Sequence, residues 1–142
     1  MMPKIKLEQF FKYYQNAFIH YDINAVSHCY HLPCTLNTPD KIVLLNSQSD
    51  CHKEFNAIFT QLKEAKACNI IAKKSTFEQV SKQLYLVCID WDFIDEQGQV
   101  FADFSAIYHV LENDDALKII NVISHELDSS LTLAQPLFWS LG

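Results

Sequence analysis

The chain has 142 residues, 49% hydrophobic and 13% aromatic, which suits one domain with a real core and excludes a disordered chain. Its formal charge is -6 and its permanent cations are scattered lysines with no run longer than Lys73-Lys74, which excludes a nucleic-acid surface. No apolar run approaches the ~20 residues of a membrane span. The start lacks the apolar stretch of a signal peptide, and five cysteines without framework spacing suit a reducing compartment. The expectation is therefore a cytoplasmic domain spanning 1–142, with no nucleic-acid or membrane partner and an apolar tail at 127–142.

In chain order, the first element is a helix from about Lys6 to His20, because Leu7, Phe10, Phe11, Tyr14, Ala17, Phe18 and Tyr21 recur at spacings of three and four. Asp22 then caps a short second helix running to about Tyr30. Pro33 and Pro39 bracket an extended piece from Cys34 to Thr38, and Lys41 to Asn46 reads as another strand. A third helix starts at Ser47, Ser49 or Asp50, with Phe55, Ile58, Phe59, Leu62 and Ala65 as its stripe. Four apolar stretches follow, at Cys68–Phe77, Leu84–Ile94, Phe101–Leu111 and Leu117–His125, and short polar breaks separate the last three. Only Gly98 and Gly142 are glycine, so no glycine-rich phosphate loop can form. Helices laid against a long antiparallel meander make an α+β domain, with about three helices on a curved sheet that forms a half-open cone.

Side-chain alternation refines this layout. A two-residue turn at Gln97-Gly98 puts Ile89, Trp91, Phe93, Ala102, Phe104, Ala106 and Tyr108 on one face. Asp90, Asp92, Asp103, Ser105 and His109 then take the other face. A second turn at Asn113-Asp114 adds Leu117, Ile119, Asn121, Ile123 and His125 to the aromatic face, with Ile120 and Val122 opposite.

With Tyr14, Asp22 and this meander in place, the chain resembles the nuclear transport factor 2-like superfamily, whose cone fold is also called cystatin-like. The resemblance rests on the order of elements from Lys6 to Glu126, on the run Tyr14 to Asp22 and on the acidic turn Asp114-Asp115-Ala116-Leu117-Lys118-Ile119. Ketosteroid isomerases in that group carry an oxyanion-hole tyrosine eight residues before a helix-ending aspartate, the spacing of Tyr14 to Asp22. The resemblance implies that Tyr14 can donate to a developing enolate, an interaction worth ~3–4 kcal/mol when preorganised, and that a second donor falls near Tyr108. The family's aspartate base precedes a proline; Thr38-Pro39 stands there instead, which argues against steroid isomerisation.

The candidate pocket residues are thus Tyr14, Trp91, Tyr108, Asn121 and His125. His125 is either an acid–base group steadied by Asn121 and a phenol, or a strand-end histidine served by backbone and water. His28, Cys29, His31 and Cys34 have zinc-ligand chemistry, but their segment crosses a helix end and a proline, so neither a metal nor any other cofactor is expected. Asp90, Asp92 and Asp103 read as a solvated outer face. The apolar tail Leu131 to Leu141 needs cover, from its own domain or from a partner subunit. The leading expectation is a homodimer that binds a small, mostly apolar ligand in the cone. The rivals are a lyase, isomerase or cyclase using His125 with Tyr14 and Asn121, and a protein-interaction module with a vestigial cavity.

Overall fold

The computed structural model describes residues 2–139, so Leu141 and the last residues of the apolar tail lie outside the described residues. Helix α1 (Pro3–Ile19) begins earlier than the stripe indicates, because Pro3 can occupy the first turn, where no backbone donor is needed. Helix α2 (Ile23–His28) is capped by Asp22, which accepts from the Ala25 amide at 3.0 Å. It ends before Tyr30, which instead opens strand β1 (Tyr30–Asn37). Strand β2 (Ile42–Leu45) returns along β1, and Ser47 caps α3 (Gln48–Glu64) by accepting from the Asp50 amide at 3.1 Å. The Asp50 carboxylate reaches back to the Asn46 amide at 3.1 Å, so this helix start is clamped from both sides.

The long strands are β3 (Ala67–Gln79), β4 (Leu84–Asp95), β5 (Val100–Asn113) and β6 (Ala116–His125), and a two-residue β7 (Gln135–Pro136) closes the set. The seven strands form one sheet in the order β2-β1-β6-β5-β4-β3-β7, antiparallel except where β1 lies parallel to β6. Pro33 has no amide hydrogen to give the ladder, and the β1–β6 register shifts between Tyr30 and Thr35. The three helices cover one face, and Leu7, Phe11, Phe55, Phe59, Val87 and Val110 form the centre of the core between them and the sheet.

The β4–β5 register agrees with the alternation: Trp91 faces Phe104, Phe93 faces Ala102 and Ile89 faces Ala106. The turn itself differs. Glu96, Gln97 and Gly98 form a three-residue loop, with Gly98 at φ 80° and its amide bonded to the Asp95 carbonyl. The extra loop residue is offset because Phe101 bulges out of the ladder, which restores the register by Phe93.

On β6 no such compensation occurs, and the expected facing is overturned. The β5–β6 turn falls at Asp114-Asp115, both with positive φ, and Val110 pairs with Ile119. Between Ile119 and Asn121 the register slips, leaving Ile120 as a bulge. From there on the faces exchange: Val122 pairs with Tyr108 and is buried, whereas Asn121, Ile123 and His125 pair with His109, Ile107 and Ser105 on the outer face.

The tail packs on its own domain. After a 3-10 turn at Leu127–Ser129, Ser130 Oγ donates to Asp90 Oδ1 on the outer face at 2.7 Å, and the Leu133 amide donates to Thr76 Oγ1 at 2.9 Å. β7 then pairs with the β3 edge, and the chain rounds that edge to bury Leu137. Because Val122 faces the core, Val122→Lys puts an ammonium among apolar side chains. It should cost more than ~2 kcal/mol in a urea melt; unchanged stability would contradict this placement.

Candidate functional site

The helical stripe and the β4–β5 register together bring Tyr14, Trp91 and Tyr108 to one place, and the early start of β1 adds Tyr30. All four side chains are at most 5% exposed. Tyr14 Oη lies 2.8 Å from Tyr30 Oη, and Trp91 Nε1 donates to Tyr108 Oη at 2.9 Å. The Tyr14 ring stands edge-on to Tyr108 at 5.8 Å between centroids and lies 6.4 Å from Trp91. A cavity of about 30 Å³ opens beside them, lined by Tyr14, Gln15, Phe18, Ile70, Trp91, Phe93, Phe104 and Tyr108. That volume accommodates about one water molecule.

Among the described residues, no carboxylate or imidazole lines this cavity. Burial pushes the phenol of Tyr14 well above its ordinary range, and the neighbouring Tyr108 and Tyr30 push it further. Tyr30 and Tyr108 are raised chiefly by burial as well. The three phenols are therefore neutral donors across the physiological range. They can polarise an oxygen placed among them, but none can take up a proton near neutrality.

Asn121 and His125 do not join this cluster, because the Ile120 bulge turns them outward. Asn121 Oδ1 accepts from Thr35 Oγ1 at 2.5 Å and Asn37 Nδ2 at 2.7 Å, and its Nδ2 lies 3.1 Å from His109 Nδ1. It ties β1, β6 and β5 together on the outer face. His125 Nδ1 lies 3.1 Å from the Glu126 carbonyl, across the sheet from the phenols. Asp92 and Asp103 face each other on that outer surface, and Lys73 Nζ lies 3.0 Å from Asp92 Oδ1.

Cys29 and Cys34 point inward while His28 and His31 are exposed, so the zinc-like quartet does not converge. Among the described residues, no three His, Cys, Asp or Glu side chains are grouped to hold a metal. Burial raises the Cys29 thiol to about 12 and Cys34 to about 11, which makes both poor nucleophiles. A larger open groove of about 660 Å³ runs past Lys6, Tyr13 and Lys118, but Lys6 is paired with Glu112 and Lys118 donates to the His28 carbonyl.

Sequence reasoning missed three residues of the cone. A second helix running to about Tyr30 puts that residue at a helix end, whereas the six-residue α2 leaves it outside. Gln15 sits four residues after Phe11 and three before Phe18, a polar residue on the apolar stripe, which was the available signal. Trp139 belongs to the tail already marked as needing cover.

A family profile described as NTF2-like protein (DUF6841) matches residues 5–127. Among solved structures, a cystatin-like domain of unknown function from Nostoc punctiforme superposes with a TM-score of 0.70 at 15% identity, over 89% of this chain and 76% of that one. An NTF-2 like protein of unknown function from Shewanella oneidensis gives 0.69 at 17% identity, over 87% and 98%. A ketosteroid isomerase-like protein from Erwinia carotovora atroseptica gives 0.63 at 14% identity, over 84% and 92%. At these identities the likeness is one of fold. No curated protein matches the sequence. No helix among the described residues is long and apolar enough to cross a membrane.

The buried phenols set a pH dependence. Their folded values lie above the ordinary ~10 of an unfolded tyrosine, so their contribution is fully present below pH ~10 and is lost as pH rises toward the folded values. Urea melts should show stability falling steeply above pH ~10, and Tyr14→Phe should shallow that slope by up to ~1.4 kcal/mol per pH unit. An identical slope in the variant would contradict the buried, protonated placement of Tyr14.

Proposed function

The chain belongs to the NTF2-like family DUF6841, and on that premise we propose that its cone binds a small, mostly apolar molecule through an oxygen that accepts from the buried phenols. The supporting observation is a donor count. Tyr14, Tyr30, Tyr108 and Trp91 bring four O–H or N–H hydrogens into one apolar site; the Tyr14–Tyr30 and Trp91–Tyr108 bonds use two, and the hydrogen bond between the Tyr14 and Tyr108 side chains uses a third. One hydroxyl hydrogen is left over, and a carbonyl or ring oxygen on an otherwise apolar ligand is the complement it favours.

Binding is favoured over turnover because none of these phenols can act as a base at neutral pH and threonine stands where the family's aspartate base would be. The enzyme alternative, with His125 acting beside Tyr14 and Asn121, has its members on opposite sheet faces. The proposed setting is the cytoplasm, where five free thiols stay reduced. The probe is 1-indanone, a flat ketone, titrated by calorimetry. Tyr14→Phe and Tyr108→Phe should each weaken its binding about 5- to 10-fold, or ~1–1.5 kcal/mol, for one lost hydrogen bond. No binding, or equal affinity in the double variant, would overturn the reading.

A second copy of the chain is the proposed partner on the outer sheet face. What supports this is apolar exposure there: Ile42 at 73% and Leu44 at 55%, with Ile71 and Ile123 also exposed. A two-fold pairing would bury the same patch on both copies. Light scattering at micromolar concentration should give twice the 16.4 kDa chain mass, and Ile123→Lys should lower it toward one. A constant mass near 16.4 kDa in the wild type would contradict the pairing.

A further inference from the structure

The chain's own tail packs beside the cone, against Phe11, Gln15 and Trp91. The Trp139 indole stacks on Phe11 at 6.0 Å and 26°, lies 6.5 Å from Trp91, and donates Nε1–H to Gln15 Oε1 at 2.6 Å. Gln15 is itself buried, at 7% exposure, and its Nε2 donates to the Ile70 carbonyl at 2.5 Å. That second bond fixes the amide so that its oxygen points at the indole. A buried acceptor held in an apolar wall demands a donor, and Trp139 supplies it.

We propose that Trp139 is a displaceable internal plug, and that the cone's ligand is a flat aromatic ring bearing an N–H or O–H which enters by taking the place of the indole. The proposal deepens the binding reading above and rests on it. Three observations carry it together. The cavity of about 30 Å³ is far too small for a ring, so a ring-sized ligand must displace part of the wall. The strap that carries Trp139 packs against Gln15 and Trp91, two residues that line this cavity, and its backbone pairing is short. Its ladder is two residues long, one of them Pro136, which has no amide hydrogen. Beyond that, the Leu133 and Leu137 amides and the Leu137 carbonyl bond to Thr76 and Ser75, and the Phe138 amide bonds to Glu8.

Phe138, next to the plug, is 70% exposed, whereas Leu137 is buried, so lifting the strap uncovers one leucine side chain besides the indole. Short, solvent-flanked pairings of this kind open locally at far lower free energy than the core. Displacement strands the Gln15 acceptor, so an apolar ring alone is a poor replacement. A ring that donates at the same point restores the bond, while the phenols at the back of the cone serve the ligand's oxygen.

The test uses indole as probe on the full chain, with affinity read by calorimetry and strap opening by amide hydrogen exchange. Trp139→Ala should bind indole at least ten-fold tighter than wild type, because the internal competitor is gone. In wild type, saturating indole should speed exchange of the Leu133 and Leu137 amides at least ten-fold. Adding Gln15→Leu to Trp139→Ala should lower indole affinity about ten-fold, and 1-methylindole, lacking the donor, should bind Trp139→Ala about as weakly. If Trp139→Ala does not fold by circular dichroism, Trp139→Phe keeps the apolar fill without the donor and should give an intermediate gain.

A folded variant that binds indole no tighter than wild type overturns the plug. So does unchanged Leu137 exchange in wild type, which marks Trp139 as fixed core. Failure here is separable from failure of the binding reading: indanone binding that depends on Tyr14 and leaves the strap closed removes only the plug. Indole that opens the strap while 1-indanone fails to bind removes only the phenol site.

Discussion

A pleated sheet encloses a helix only if it bends, and the bends in this sheet are made by single unpaired residues. Lys73 in β3, Phe101 in β5 and Ile120 in β6 each stand outside the ladder, at the points where neighbouring registers slip by one. Each bulge kinks its strand and adds twist. The sheet can therefore wrap α1, and Tyr14 can reach both Trp91 and Tyr108. The same devices decide which side chains see the cone and which see the outside. The Ile120 bulge keeps Ile119 and Val122 in the core and sends Asn121 to the outer network with Thr35, Asn37 and His109.

Inside the cone the dominant constraint is dryness. Phenols surrounded by Phe11, Phe18 and Phe55 are costly to ionise, which is why burial heads the causes of the raised values for Tyr14, Tyr30 and Tyr108. Donors in such surroundings bond more strongly than in water, and they are correspondingly expensive to leave unmatched. Tyr14 and Tyr30 match each other, and Trp91 serves Tyr108. This arrangement explains how a polar cluster persists in an aromatic core.

Much of this was legible in the sequence, and the reasons for success and failure are local. The stripe of α1 was readable because Leu7, Phe11, Tyr14 and Phe18 repeat at the helical period. The β4–β5 facing was readable despite a misplaced turn, since the longer loop and the Phe101 bulge offset each other. On β6 the phase slip has a trace in the sequence: Ile119-Ile120 and Val122-Ile123 are adjacent apolar pairs that strict alternation cannot place on one face. Reading through that slip misplaced Asn121, Ile123, His125 and Val122 together. Trp139 was invisible as a cone residue because it reaches the site by rounding the β3 edge, a path that no periodicity records.

In the proposed binding mode the phenols of the cone meet the ligand. The most direct measurement is fluorine NMR of protein labelled with 3-fluorotyrosine, titrated with 1-indanone. Binding among the phenols should give saturable shifts in the resonances of Tyr14, Tyr30 and Tyr108, with the exposed Tyr13 unmoved. Shifts confined to Tyr13, or none at saturating ketone, would contradict it.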